Sequence, residues 1–167
     1  AISKAFTAVK DAIKWVAESM DIETLDELGE TSAENNSSAI TLFNYSEKKI
    51  LFTSDTGVPA LKQAIEYAKT KSITLNNLSV LQVPHHGSKR NISPSIIDAL
   101  KCTNAYISSA PNGEPKHPAK KVTNAFKRRG IKPYWTKTTG LCHRHNTPSR
   151  EGWSTATEIP FYDKVEE

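Results

Sequence analysis

The sequence has no apolar run approaching the roughly 18 residues that a membrane-spanning helix needs. A charged-then-apolar start is also missing, so neither a span, a membrane contact nor a secretory leader is expected. Cysteine is scarce, with only Cys102 and Cys142. Two thiols are too few for a disulfide scaffold and fit a reducing, cytoplasmic setting. Histidine is missing from the first 84 residues: His85, His86, His117, His143 and His145 all lie downstream. Any imidazole chemistry therefore belongs to the second half of the chain. Acidic residues nearly vanish between 85 and 150, where 13 Lys and Arg face 2 Asp and Glu, a net +11 in a chain whose total is +4. Such a block can draw in a phosphodiester backbone by neutralising phosphates and releasing counterions. For Lys120 to Lys132 the plainer alternative is a solvated helix face.

What is present reads as an α/β unit, and 167 residues are enough to bury a core. Phe6, Val9, Ile13, Val16 and Met20 recur at three and four, which predicts a helix over 3–20 with its apolar stripe widened by Trp15. An acidic stretch at 21–36 follows, rich in Glu, Ser and Asn and read as loop or weak helix. Helix and connector make an N-terminal segment, 1–34, ahead of a main unit at 35–167. Strands are expected at 38–43 and 49–54 as an antiparallel hairpin, and at 78–83 as a short buried run. Between them Pro59 sits near the first turn of a helix reaching about Lys71. Ser93-Pro94 reads as N-cap and first residue of a helix through Leu100, followed by a strand at 105–107. Pro118 opens a helix over 119–129, Gly130 stops it, and a strand follows at 133–136. The stretch 152–161 looks like one more strand.

Alternating strands and helices predict a sheet whose ligand edge lies at the carboxyl ends of its parallel strands. Asp55, the pair His85-His86, Ser108-Ser109 and Thr136 fall at those ends. Strand 49–54, helix 59–71 and strand 78–83 form one βαβ unit, so its right-handed crossover should bring Asp55 and the histidine pair to one edge. A carboxylate and an imidazole ending separate buried strands can form half of a metal site.

Five segments, in order, carry a family resemblance: Asn35-Asn36-Ser37-Ser38; Leu51-Phe52-Thr53-Ser54-Asp55; Pro84-His85-His86-Gly87-Ser88; His117-Pro118; and Thr136 to Gly140. They resemble the N-x-S-S, L-L-T-G-D, H-H-G-S, H-P and T-D-x-x-G motifs of the C-terminal half of a metallo-β-lactamase fold hydrolase, closest to the ComEC-like branch of competence proteins. Ser54 stands where the family has Gly, and Lys137 where the last motif has Asp. The family's H-x-H-x-D-H motif should lie upstream of Asn35, where this chain has no histidine. The chain is therefore expected to be half of an αββα sandwich, a mixed sheet with flanking helices, whose partner is the missing N-terminal half.

The resemblance implies two divalent ions, zinc or manganese, bridged by Asp55 and held in part by His86, with a metal-activated hydroxide attacking a phosphodiester, nucleic acid foremost. Asp55 and His86 are thus the expected catalytic and metal-binding residues. His85, Ser88, His117, Lys89 and Arg90 are expected to support the ligands or contact substrate. Strand alternation should send the rings of His85 and His86 to opposite faces. Asp55 can instead be a turn or helix-cap aspartate, and His117 a helix cap. The run Cys142-His143-Arg144-His145 lacks a fourth ligand at zinc spacing and reads as loop. Alternatives from other classes are a non-catalytic binding module with a degenerate metal site and a hydrolase of a small ester or lactone. With half the ligands missing, this chain alone is expected to be inactive.

Overall fold

A computed structural model of the protein describes residues 2–20, 22–112, 116–137 and 140–165, and within the first helix the side chains of 14–16 are not described. Its centre is a five-stranded mixed sheet in the order β1 (Thr41–Tyr45), β2 (Lys48–Phe52), β3 (Val80–Gln82), β4 (Asn104–Ile107), β5 (Lys132–Trp135). β1 and β2 are antiparallel; β2 through β5 run parallel. The hairpin turns on Ser46 and Glu47, both at positive φ, which matches the right-handed twist of the strands it joins. The hairpin is antiparallel, as its spacing predicts, but β1 lies later than 38–43 because the turn takes only two residues.

Helices α3 (Val58–Thr70), α4 (Pro94–Leu100) and α5 (Lys120–Arg128) connect the parallel strands in turn. Since each step moves to the next strand in the same direction, right-handed crossovers put all three helices on one face. There Leu51, Leu81, Ala105 and Ile107 of the sheet meet Leu61 of α3, Ile96, Ile97 and Leu100 of α4, and Val122, Ala125 and Phe126 of α5. Each such Leu, Ile, Val or Phe side chain contributes about 1.5–3 kcal/mol when fully buried. The opposite face carries Phe43, Ile50 and Phe52 toward β1, and Asn104, Tyr106 and Tyr134 toward β5. Phe43, Tyr45 and Phe52 are exposed. The stretch 152–161 is not a strand: it overlies the β5 end of this face, held by the Ile159 amide donating to the Pro133 carbonyl at 2.8 Å.

Helix α1 (Ile2–Ser19) forms as its periodicity predicts, but Phe6, Val9, Ile13 and Met20 face outward, Phe6 at 72% exposure. The expected contributions of Trp15 and Val16 lie outside the described residues. Its last turn is fastened through Glu18, whose carboxylate is fully buried against Arg128 at 2.7 Å and accepts from Asn124 Nδ2 at 3.2 Å. The acidic connector then crosses the helical layer. Leu25 enters the core, Glu23 and Asp98 both grip Arg129, and Glu27 accepts from the Ser95 amide and hydroxyl. Ser93 occupies the N-cap of α4 but makes no capping bond; Glu27 accepts from the α4 backbone instead. The connector ends in α2 (Ala33–Asn36), capped by Ser32 accepting from the Asn35 amide.

These contacts revise the reading of the basic stretch. Lys127 pairs with Glu158, Arg128 with Glu18, and Arg129 with Glu23 and Asp98, while Lys121 is 2% exposed. In this part of α5 the cations are structural, and neither a solvated face nor a free phosphate-binding surface describes them. Among the described residues no helix is long and apolar enough to cross a membrane.

Candidate metal centre

Asp55 follows β2 in a loop fixed from the neighbouring strand. Gln82 Oε1 accepts from the Thr53 and Ser54 amides, both at 2.8 Å, and Thr53 Oγ1 donates to the Gln82 carbonyl at 2.7 Å. Buried Asn91 donates to the Asp55 carbonyl at 2.9 Å, so the aspartate is held by backbone restraints while its carboxylate stays half exposed. The His85 amide donates to the Ser54 carbonyl at 3.0 Å and ties the two strand ends together. Topology thus brings Asp55 and the histidine pair to the same carboxyl edge, and Asp55 Oδ1 stands 3.7 Å from His85 Nδ1.

The pair does not continue the strand. β3 ends at Gln82, and His85, His86 and Gly87 then turn with φ of 44°, 58° and 81°. Strand alternation therefore has no hold on the two rings, and both lie beside His117. Ring centroids are 5.5 Å apart for His85–His86, 6.0 Å for His85–His117 and 6.3 Å for His86–His117. Two successive non-glycine residues in the left-handed region cost of order 1–3 kcal/mol each, a strain that clusters at functional sites. Gly87 is required for the assembly: a Cβ there would come within 2.7 Å of Pro118 Cβ, in a conformation that L side chains resist. Because Pro118 packs on that glycine and the Ala119 amide donates to the Gly87 carbonyl, His117 is delivered to the pair.

Each imidazole has its own setting. His86 Nδ1 lies 2.6 Å from the Ser108 carbonyl; donating there fixes the ring's orientation, as the hydrogen bond of a histidine ligand's other nitrogen usually does. His85 Nδ1 lies 3.4 Å from Asn35 Nδ2 as well as near Asp55. His117 Nδ1 is buried without a hydrogen-bond partner among the described residues, and burial, then the neighbouring His85 and His86, push its pKa below the usual imidazole value. Asn35 and Asn91 also reach this edge, the one beside His85 and the other at the Asp55 carbonyl. Asn35 lies inside a quoted motif and Asn91 six residues after His85, but nothing in spacing alone aims either amide. Gly57 also has a steric role, since a Cβ there would meet Thr31 Oγ1 at 2.1 Å and Asn36 Oδ1 at 2.6 Å, displacing the segment that carries Asn35.

Donors sharing a tetrahedral zinc, each about 2.0–2.1 Å from it, lie roughly 3.3 Å apart. The Asp55–His85 separation exceeds this by a few tenths of an ångström. Among the described residues no group of three or more His, Cys, Asp or Glu side chains is spaced to hold an ion. Asp55, His86 with its Nδ1 at the Ser108 carbonyl, and His117 with its buried Nδ1 are the donors that this edge could offer to an ion. His143 packs edge-on against Tyr106 at 6.2 Å, and Cys142 and His145 are exposed; they form no ligand group there.

Beside the histidines opens a cleft of about 1050 Å³ whose walls include His85, Ser88, Lys89, Arg90, Lys116, His117 and Lys120, with Glu30 the one acidic residue among the described residues that line it. Ser88 is buried, and its hydroxyl accepts from the Arg90 amide at 3.2 Å, which shapes the turn bearing Lys89 and Arg90. The edge can thus offer oxygen and nitrogen donors to a cation and basic side chains to an anion. No family model, curated protein or solved structure matches this chain.

Proposed function

We propose that this chain is the C-terminal half of a metal-dependent phosphodiesterase with the metallo-β-lactamase sandwich fold, of the ComEC-like kind. The observation that carries the reading is the convergence of Asp55, His85, His86 and His117 at one carboxyl edge, with His86 Nδ1 engaged by the Ser108 carbonyl. In this reading Asp55 and His86 supply part of a two-ion centre, zinc or manganese, and the ions when bound generate hydroxide near neutral pH. His85 orients against Asp55 and Asn35, while His117 stands ready to contact substrate or hold a proton. The remaining ligands come from an H-x-H-x-D-H segment on the other half, for which the uncovered aromatic face of β1 and β2 offers a docking surface. The excess of cations in the cleft favours a phosphodiester, nucleic acid foremost, over a neutral ester or lactone.

The test joins this chain to an N-terminal half carrying H-x-H-x-D-H and follows hydrolysis of bis-p-nitrophenyl phosphate and of labelled DNA with added zinc or manganese. Activity that falls at least about 100-fold in Asp55→Ala and His86→Ala supports the reading. Turnover that ignores both substitutions contradicts it.

A further inference from the structure

The open face of β4 and β5 is roofed by the C-terminal tail, leaving a cavity of about 840 Å³. We propose that this cavity binds an unpaired nucleotide, its aromatic walls taking the base while Lys137 and Arg150 take the phosphates. The inference rests on the phosphodiesterase reading and narrows its substrate to single-stranded nucleic acid.

The volume lies within the range of small-molecule sites, about 300–1,000 Å³. Its walls include Tyr106 and Tyr134, packed edge-to-face at 5.7 Å, together with Trp135 and Trp153. Aromatic faces accept any base, since every base has a π-face, and only an unpaired base can reach them. Each indole is covered by a cation of this chain: Lys137 Nζ lies 4.8 Å from the Trp135 ring centre and the Arg150 guanidinium 4.9 Å from that of Trp153. Cation–π contacts are weak where water reaches them, so a base can displace the cation, which then pairs with the adjoining phosphate. Among the described residues Glu158 is the only acidic one of the wall, and it is committed to Lys127.

Position links this cavity to the histidines. Lys137 follows β5 at the carboxyl edge, Thr136 Oγ1 accepts from the Ser109 amide at 3.3 Å, and the Ser108 carbonyl engages His86. β3 and β5 are two strand spacings apart, about 10 Å. A short run of unpaired nucleotides covers that separation, with a base in the cavity and a phosphodiester at the metal edge.

The experiment titrates this chain with labelled ten-residue oligothymidine, a hairpin duplex of equal charge, and heparin, reading anisotropy and tryptophan fluorescence. Oligothymidine should quench the fluorescence and bind at least about tenfold tighter than the duplex, and Trp153→Ala should weaken it about tenfold. Arg150→Gln, at an exposed position, should weaken it while leaving the circular dichroism unchanged. Equal affinity for duplex or heparin, with no effect of Trp153→Ala, overturns the proposal. Because the cavity contains none of the metal donors, Asp55→Ala should leave oligothymidine affinity intact. Trp153-dependent oligothymidine binding by this chain, when the joined halves show no hydrolysis that depends on Asp55 and His86, refutes the phosphodiesterase reading alone, whereas such hydrolysis by the joined halves without oligothymidine binding refutes the nucleotide pocket alone.

Discussion

Arg128 of α5 places Nη1 2.7 Å from Oε2 of Glu18, and the carboxylate of Glu18 is wholly buried. The first helix is therefore joined to the main unit by an ion pair between residues 110 positions apart. A charge so deeply desolvated depends on its partner, and removing one member of a buried pair typically costs about 3–5 kcal/mol. Arg128→Glu, and Arg129→Glu beside it, should lower the urea midpoint strongly. Glu18→Leu combined with Arg128→Met should be much milder, since a matched apolar pair leaves no stranded charge. Equal stability of Arg128→Glu and the native chain would contradict this role.

The same pair shows what the sequence conveyed and what it did not. Strand and helix order, the parallel crossover from β2 to β3 and the common edge of Asp55 and the His85-His86 pair follow from periodicity and crossover handedness, so they were legible. The fate of charge was not, because Lys127, Arg128 and Arg129 look like a basic run until Glu158, Glu18, Glu23 and Asp98 arrive from distant segments. Helix α1 was legible as a helix, but periodicity does not say what covers a stripe, and Phe6 and Ile13 face outward. Strand alternation does not govern the histidine pair, because the strand has already stopped at Gln82.

Gly87→Ala should destabilise the chain by more than about 1 kcal/mol, since it meets both a left-handed backbone and the Pro118 ring. It should also move His117 away from His85 and His86, visible as changed imidazole resonances of all three in NMR spectra. A substitution that leaves stability and those resonances unaltered would show that Pro118 does not rest on this glycine.

The thiols should separate cleanly. Burial pushes the Cys102 thiol up to about 12, whereas Cys142 is exposed. At pH 8 iodoacetamide should modify Cys142 well before Cys102, with Cys102 reacting only on addition of denaturant. Peptide mass mapping reads the order, and early labelling of Cys102 would mean that the α4–β4 junction opens readily.

His117 should contribute to acid sensitivity. Its folded pKa lies below the unfolded value of about 6.5, so the unfolded chain binds the proton first and stability falls as pH drops below about 6.5. His117→Asn should flatten the urea midpoint between pH 7.5 and 5.5. An unchanged slope would place the proton uptake elsewhere.

The central claim is that Asp55 and the histidines of the carboxyl edge make up part of a metal centre. The most direct measurement is a zinc titration of this chain followed by ¹H–¹⁵N spectra of the imidazoles together with calorimetry. The account predicts weak binding, with shifts confined to His85, His86 and His117 and abolished by Asp55→Ala, because two or three donors fall short of a stable zinc shell. A tight stoichiometric site in this chain, or shifts centred on His143 and His145, would contradict it.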